Sequence, residues 1–129
     1  MIYIALTGLA RHVIKELSVA KVRTVEIRSP NNFFALLDAE PGDRIFLTES
    51  SAPDIVPGTG GLIASIRALQ TITHRTIQSN EDYYEEREAQ AARIQLQLLA
   101  IGRVRRIASI EPGTPLMLDV DEVRYCNAR

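Results

Sequence analysis

Cysteine, tryptophan and histidine are nearly missing from this chain, which has one cysteine (Cys126), no tryptophan and two histidines (His12 and His74). A single thiol can form neither an internal disulfide nor a cysteine metal cluster, and two histidines supply a zinc site poorly. No metal and no cofactor are expected. Long apolar runs are missing too: none approaches the roughly 18 residues that a membrane span needs. Met1-Ile2-Tyr3-Ile4-Ala5-Leu6 has neither the basic region nor the small-residue cleavage site of an export signal. These absences lead to the expectation of a soluble, cytoplasmic protein with no membrane partner. Repeats, linkers and low-complexity tracts do not occur.

Lysine is scarce as well, because 13 of the 15 basic residues are arginine, whose planar fork suits phosphate or carboxylate. Residues 1 to 79 carry eight bases against seven acids, and residues 80 to 129 carry seven against nine. Neither half is basic enough for a long nucleic-acid groove that works by displacing counterions, so a small local basic patch fits better.

What the chain does have is a core: 46% of its 129 residues are hydrophobic, the size and composition of one domain over 1–129. Ile2, Ile4 and Leu6 alternate as a strand. Leu9, Val13, Ile14 and Leu17 recur at helical spacing, and Ser29-Pro30 opens a second short helix that buries Phe33, Phe34 and Leu37. Glu40-Pro41-Gly42-Asp43 is a turn into the strand Arg44 to Thr48, and a loop from Glu49 to Gly61 leads into Leu62 to Ile66. Thr71 to Ile77 forms another strand or prolongs that one. Asn80, followed by Glu81, Asp82, Glu85, Glu86 and Glu88, predicts a third helix over roughly 80–91. From Ile94 a period of two argues for a strand over 93–101, with a continuing helix as the alternative. Gly102 marks a bulge before Arg103 to Ile107, and Leu116 to Val120 with Val123 to Tyr125 close the chain. The expected class is α+β, mainly β: six or seven short strands and about three short helices, curled into a small barrel.

One strand stands apart. In Arg23-Thr24-Val25-Glu26-Ile27-Arg28 the apolar Val25 and Ile27 share one face, and Thr24, Glu26 and Arg28 share the other. A hydroxyl, a carboxylate and a guanidinium in a row either face water or form a polar site on a rigid element.

The ordered set Arg23 to Arg28, then Gly42-Asp43-Arg44-Ile45-Phe46-Leu47, then Gly60-Gly61-Leu62-Ile63-Ala64 resembles the ASCH group of the PUA-like superfamily. With Tyr83 to Glu88 and Gly102-Arg103-Val104 included, nearly the whole chain resembles an archaeal family, domain of unknown function 473. The resemblance implies a PUA/ASCH-like barrel that binds RNA or a nucleotide-like small molecule without catalysis. Thr24, Glu26 and Arg28 would floor the cleft, Arg23 and Asn32 would stand at its rim, and Arg103 with Arg105 would track a backbone. A homodimer is compatible with this reading.

Two alternatives stay open. Another branch of the superfamily contains amidohydrolases acting on acetylated cytidine, and aligned on Arg28 their lysine and threonine fall at Arg23 and Glu26. An arginine stays protonated and a carboxylate needs a different covalent route, so a hydrolase reading rests on Glu26 as acid or base. The other alternative is a protein-interaction module. Competing readings of the remaining motifs are structural: a plain turn at Pro57 to Gly61, core anchors at Tyr83 and Tyr84, and surface positions for His12 and His74.

Overall fold

The computed structural model describes residues 1–79, 84–111 and 113–125, and the backbone alone at 74, 76, 78, 84–88 and 125. Among the described residues there are six strands and two α-helices: β1 (Ile2–Leu6), α1 (Arg11–Ala20), β2 (Val22–Ile27), α2 (Pro30–Ala35), β3 (Arg44–Leu47), β4 (Gly60–Ser79), β5 (Tyr84–Ser109) and β6 (Met117–Tyr125). The sheet runs β2-β5-β4-β3-β1-β6, and a further pairing of β5 with β6 closes five of these strands into a ring. β1 and β3 are parallel, and the other pairs are antiparallel. β2 lies on β5 ahead of the stretch that β6 occupies.

Closure sorts the apolar residues into two cores. Tyr3, Ala5, Phe46, Ile63, Ala100 and Val120 belong to a cluster to which all five ring strands contribute, so it fills the ring. The opposite face of the sheet carries Leu6, Ile45, Leu47, Ala64, Ile94 and Leu96, with Val25 and Ile27 of β2. There α1 contributes Leu17, and Phe33 of α2 packs at the edge. α1 ends at Lys21, which takes a left-handed φ of 69° and whose N–H donates to the Leu17 carbonyl at 2.9 Å.

Two bulges decide which side chain meets which core. On β5 Leu98 pairs with Ala64 and Ala100 with Ile63, which leaves Leu99 as an extra residue. The even-numbered residues from Ala92 to Val104 therefore stay buried, but they pass from the helix-covered core at Leu98 to the ring interior at Ala100. On β4, Arg67 is extra between Ile66 and Ala68, and the buried parity moves from Ile66 to Leu69. Gly102 does sit at a register shift, between β5 and β6.

One expected element is absent. Residues 84–91, assigned to the end of a helix over 80–91, belong to β5, and 80–83 lie outside the described residues. Each of 84–91 faces a residue of β4, from Tyr84 opposite Ser79 to Ala91 opposite Ile72. The β-branched run Thr71 to Ile77 supplies a template whose pairing outweighs a local acid-rich helix signal. The strand reading of 93–101 holds, and 71–77 prolongs β4 instead of forming a strand of its own. No helix among the described residues is long and apolar enough to cross a membrane.

Candidate functional site

The polar residues of β2 separate by parity. Val25 and Ile27 point into the helix-covered core, so Thr24 and Glu26 are exposed on the solvent face, and Arg28 follows them. Arg28 Nε donates to Glu26 Oε2 at 3.1 Å, and its Nη2 lies 3.0 Å from the same oxygen. Glu26 thus orients the guanidinium while leaving it open to solvent.

The register brings in neighbours from two further strands. Thr24 stands opposite Gln95, and Glu26 opposite Arg93. On the other side of β5, Gln95 faces Ala68 and Arg93 faces Gln70. Thr24, Gln70, Arg93 and Gln95 line one recess of about 260 Å3, with Ala68 and Leu69 between them. One hydroxyl, two carboxamides and one guanidinium therefore converge on a face built from three hydrogen-bonded strands. Gln70, Arg93 and Gln95 are not among the site residues expected from the sequence. Alternation marked the last two as one face of a strand, but only the register shows that this face continues that of Thr24.

Arg23 is elsewhere. Its parity is that of Val25, it pairs in register with Leu96, and its Nη2 forms an ion pair with Glu16 Oε2 of α1. It ties α1 to β2 on the face away from the recess.

Asn32 is buried and lines a different recess. Its Oδ1 accepts from the Thr7 N–H at 3.0 Å and its Nδ2 donates to the Thr7 carbonyl at 2.8 Å, so the amide imitates a strand partner where β1 ends. The recess, about 470 Å3, is bounded by Thr7, by Asn31 and Phe34 of α2, and by Ile110, Glu111 and Thr114 of the β5–β6 connection. That connection is held by donation from Thr114 N and Oγ1 to the Glu111 carbonyl at 3.2 and 2.8 Å, with Gly113 at φ 80°. No single feature of the sequence announced this recess, because its walls are distant in the chain.

Arg103 and Arg105 join neither recess. Beyond Leu99 the ring interior takes Ala100, Gly102 and Val104, so the intervening arginines are exposed on the outside. Arg103 lies eight positions along the strand from Gln95, about 26 Å of contour at ~3.3 Å per residue. Arg106 has a structural partner: its Nε lies 3.1 Å from Asp119 Oδ2, while the Met1 ammonium lies 3.1 Å from Oδ1. The ammonium first and the guanidinium second hold the Asp119 carboxyl below its ordinary range. His12 is exposed. The side chains of His74 and Tyr84, and all of Tyr83 and Cys126, lie outside the described residues. Among the described residues no three His, Cys, Asp or Glu side chains are grouped to hold a metal.

The fold defines a class, a mainly β chain whose sheet closes into a ring and carries recesses on its surface, among them those beside Thr24 and Asn32. The chain belongs to the family described as protein of unknown function (DUF473), whose model matches residues 1–118. Comparison with curated proteins and with solved structures finds no match.

Proposed function

We propose that this chain is a non-catalytic module that holds RNA or a nucleotide-like ligand on the solvent face of β2, β5 and β4. The reading takes the ring of strands as a PUA-like barrel, by the resemblance of its strand motifs. Its main support is the convergence of Thr24, Gln70, Arg93 and Gln95 on one recess of about 260 Å3. Carboxamides both donate and accept, as base edges require, and a guanidinium grips phosphate with two parallel bonds. Arg28, aligned by Glu26, offers a second guanidinium at the end of β2. The rigidity of three paired strands means that these groups need little reordering on binding.

A titration of labelled single-stranded oligo(A) and oligo(U), with AMP and UMP as competitors, tests the reading over a range of KCl concentrations. Affinity is expected to fall as salt rises, with a log–log slope of about 0.7 for each phosphate contacted by a cation. Absence of binding to every one of these probes at low salt would end the proposal.

A further inference from the structure

The recess beside Asn32 has the opposite electrostatic character from the one on the solvent face. Glu111 is the charged side chain on its lining, and among the described residues no Lys, Arg or His borders it. A phosphate or carboxylate brought there would meet a carboxylate and no counter-charge, whereas a cation would meet one. The walls are apolar and unusually open: Phe34 is 40% exposed and Ile110 is 64% exposed. An aromatic ring attracts a cation over its face, and the methylenes of a ligand would cover the aliphatic wall.

The backbone of both walls is tied down by hydrogen bonds. The Asn32 clamp on Thr7 sets the position of α2 and so of Phe34, and the Glu111–Thr114 turn holds the backbone of Glu111. Donation from Ala5 N to the Leu116 carbonyl at 3.0 Å ties the end of the connection to β1. At about 470 Å3 the recess falls within the range of small-molecule sites.

We infer that this recess binds a small organic cation, an alkyl- or arylammonium group, with its charge at Glu111 and its apolar body against Phe34 and Ile110. The site is separate from the one in the proposed function, and it selects ligands of the opposite charge. An ammonium group of this kind is carried by free amines and by lysine side chains alike.

The test is a ¹H–¹⁵N correlation titration of the full chain with n-butylammonium, n-butanol and butyrate, each up to about 0.1 M. Saturable shifts with n-butylammonium are expected at Asn31, Phe34, Ile110, Glu111 and Thr114, with weaker ones for n-butanol and none for butyrate. Glu111→Gln should weaken n-butylammonium binding about fivefold and Phe34→Leu about threefold. Both positions border solvent, so the variants should keep the wild-type amide dispersion. Nα-acetyl-lysinamide serves as a second probe: tighter binding than n-butylammonium assigns the site to a lysine side chain, and weaker binding assigns it to a free amine. No saturable shift at these residues, equal response to the alcohol or the carboxylate, or unchanged affinity in Glu111→Gln would overturn the inference. Arg93→Ala should leave this binding intact, so its outcome is independent of the RNA titration.

Discussion

Gly61 and Gly102 stand opposite each other across β4 and β5, and neither position has room for a side chain. A Cβ on Gly61 would collide with the Leu47 carbonyl oxygen and the Phe46 ring, and one on Gly102 would lie 2.7 Å from Val120 Cγ1. Phe46 and Val120 fill the ring, so the two glycines make the space that lets it close around them.

Gly61→Ala should cost about 3 kcal/mol, because the blocking atom is backbone and cannot move aside. Gly102→Ala should cost less, about 1–2 kcal/mol, since Val120 and Ile63 side chains can shift by a few tenths of an ångström. Urea denaturation of both variants checks the order.

Asn32→Ala removes both bonds to Thr7 and leaves a donor and an acceptor unpaired near the end of β1, at a cost of about 2–3 kcal/mol. Asn32→Asp keeps the acceptor but turns the donor into an oxygen facing the Thr7 carbonyl. At neutral pH it should be at least as damaging, and it should recover part of the loss in acid, when the carboxyl can donate. Denaturation midpoints at two pH values separate these outcomes.

Asp119 sets one limit of stability in acid. Its pKa is lowered from the ordinary 3.8 by the Met1 ammonium first and Arg106 second, so its contribution is complete above that value. It is lost as pH falls through the lower, folded-state pKa. Asp119→Asn should therefore flatten the acid limb of a melting-temperature profile below about pH 4 and also lower stability at neutral pH. At the other end, burial raises the Tyr3 phenol above 10.0. Its contribution is present below pH 10 and fades as pH rises through the folded-state value, so Tyr3→Phe should flatten the alkaline limb.

Deleting Leu99 is a test of the bulge. Without the extra residue, Leu98 and Ala100 become consecutive and alternate naturally, so Leu98 stays opposite Ala64 in the helix-covered core and Ala100 opposite Ile63 in the ring. What is lost is the packing of Leu99 itself, which is half-buried against the ring cluster. The expected result is a retained cooperative unfolding transition at a cost of about 1–3 kcal/mol, close to the ~1–2 kcal/mol expected of Leu99→Ala.

In the RNA titration, Arg93→Ala should reduce the salt slope by roughly the 0.7 of one single-strand phosphate contact, and Arg103→Ala should leave it unchanged. Equal effects would move the binding surface around to the outside of the ring.

Much of this architecture was legible from alternation alone. Val25 and Ile27 pointed inward and Thr24, Glu26 and Arg28 did not, because a strand's period of two is a local property of the backbone. The acids after Asn80 misled, since a local helix signal says nothing about a long β-branched partner strand waiting alongside. Arg23 entered the candidate cleft through the motif resemblance, although its parity already assigned it to the face of Val25. Asn32 showed no sign of its bond to Thr7, because the two residues are 25 positions apart.

The order of turns, the abundance of strand and the polar row on β2 follow from the sequence itself, since they depend on residues within a few positions of one another. The meeting of Arg93, Gln95 and Gln70 with Thr24, and of Glu111 with Phe34, was decided only by tertiary structure. Register and ring closure arise from the summed burial of both cores, and shifting a strand by one residue turns every one of its side chains to the other face.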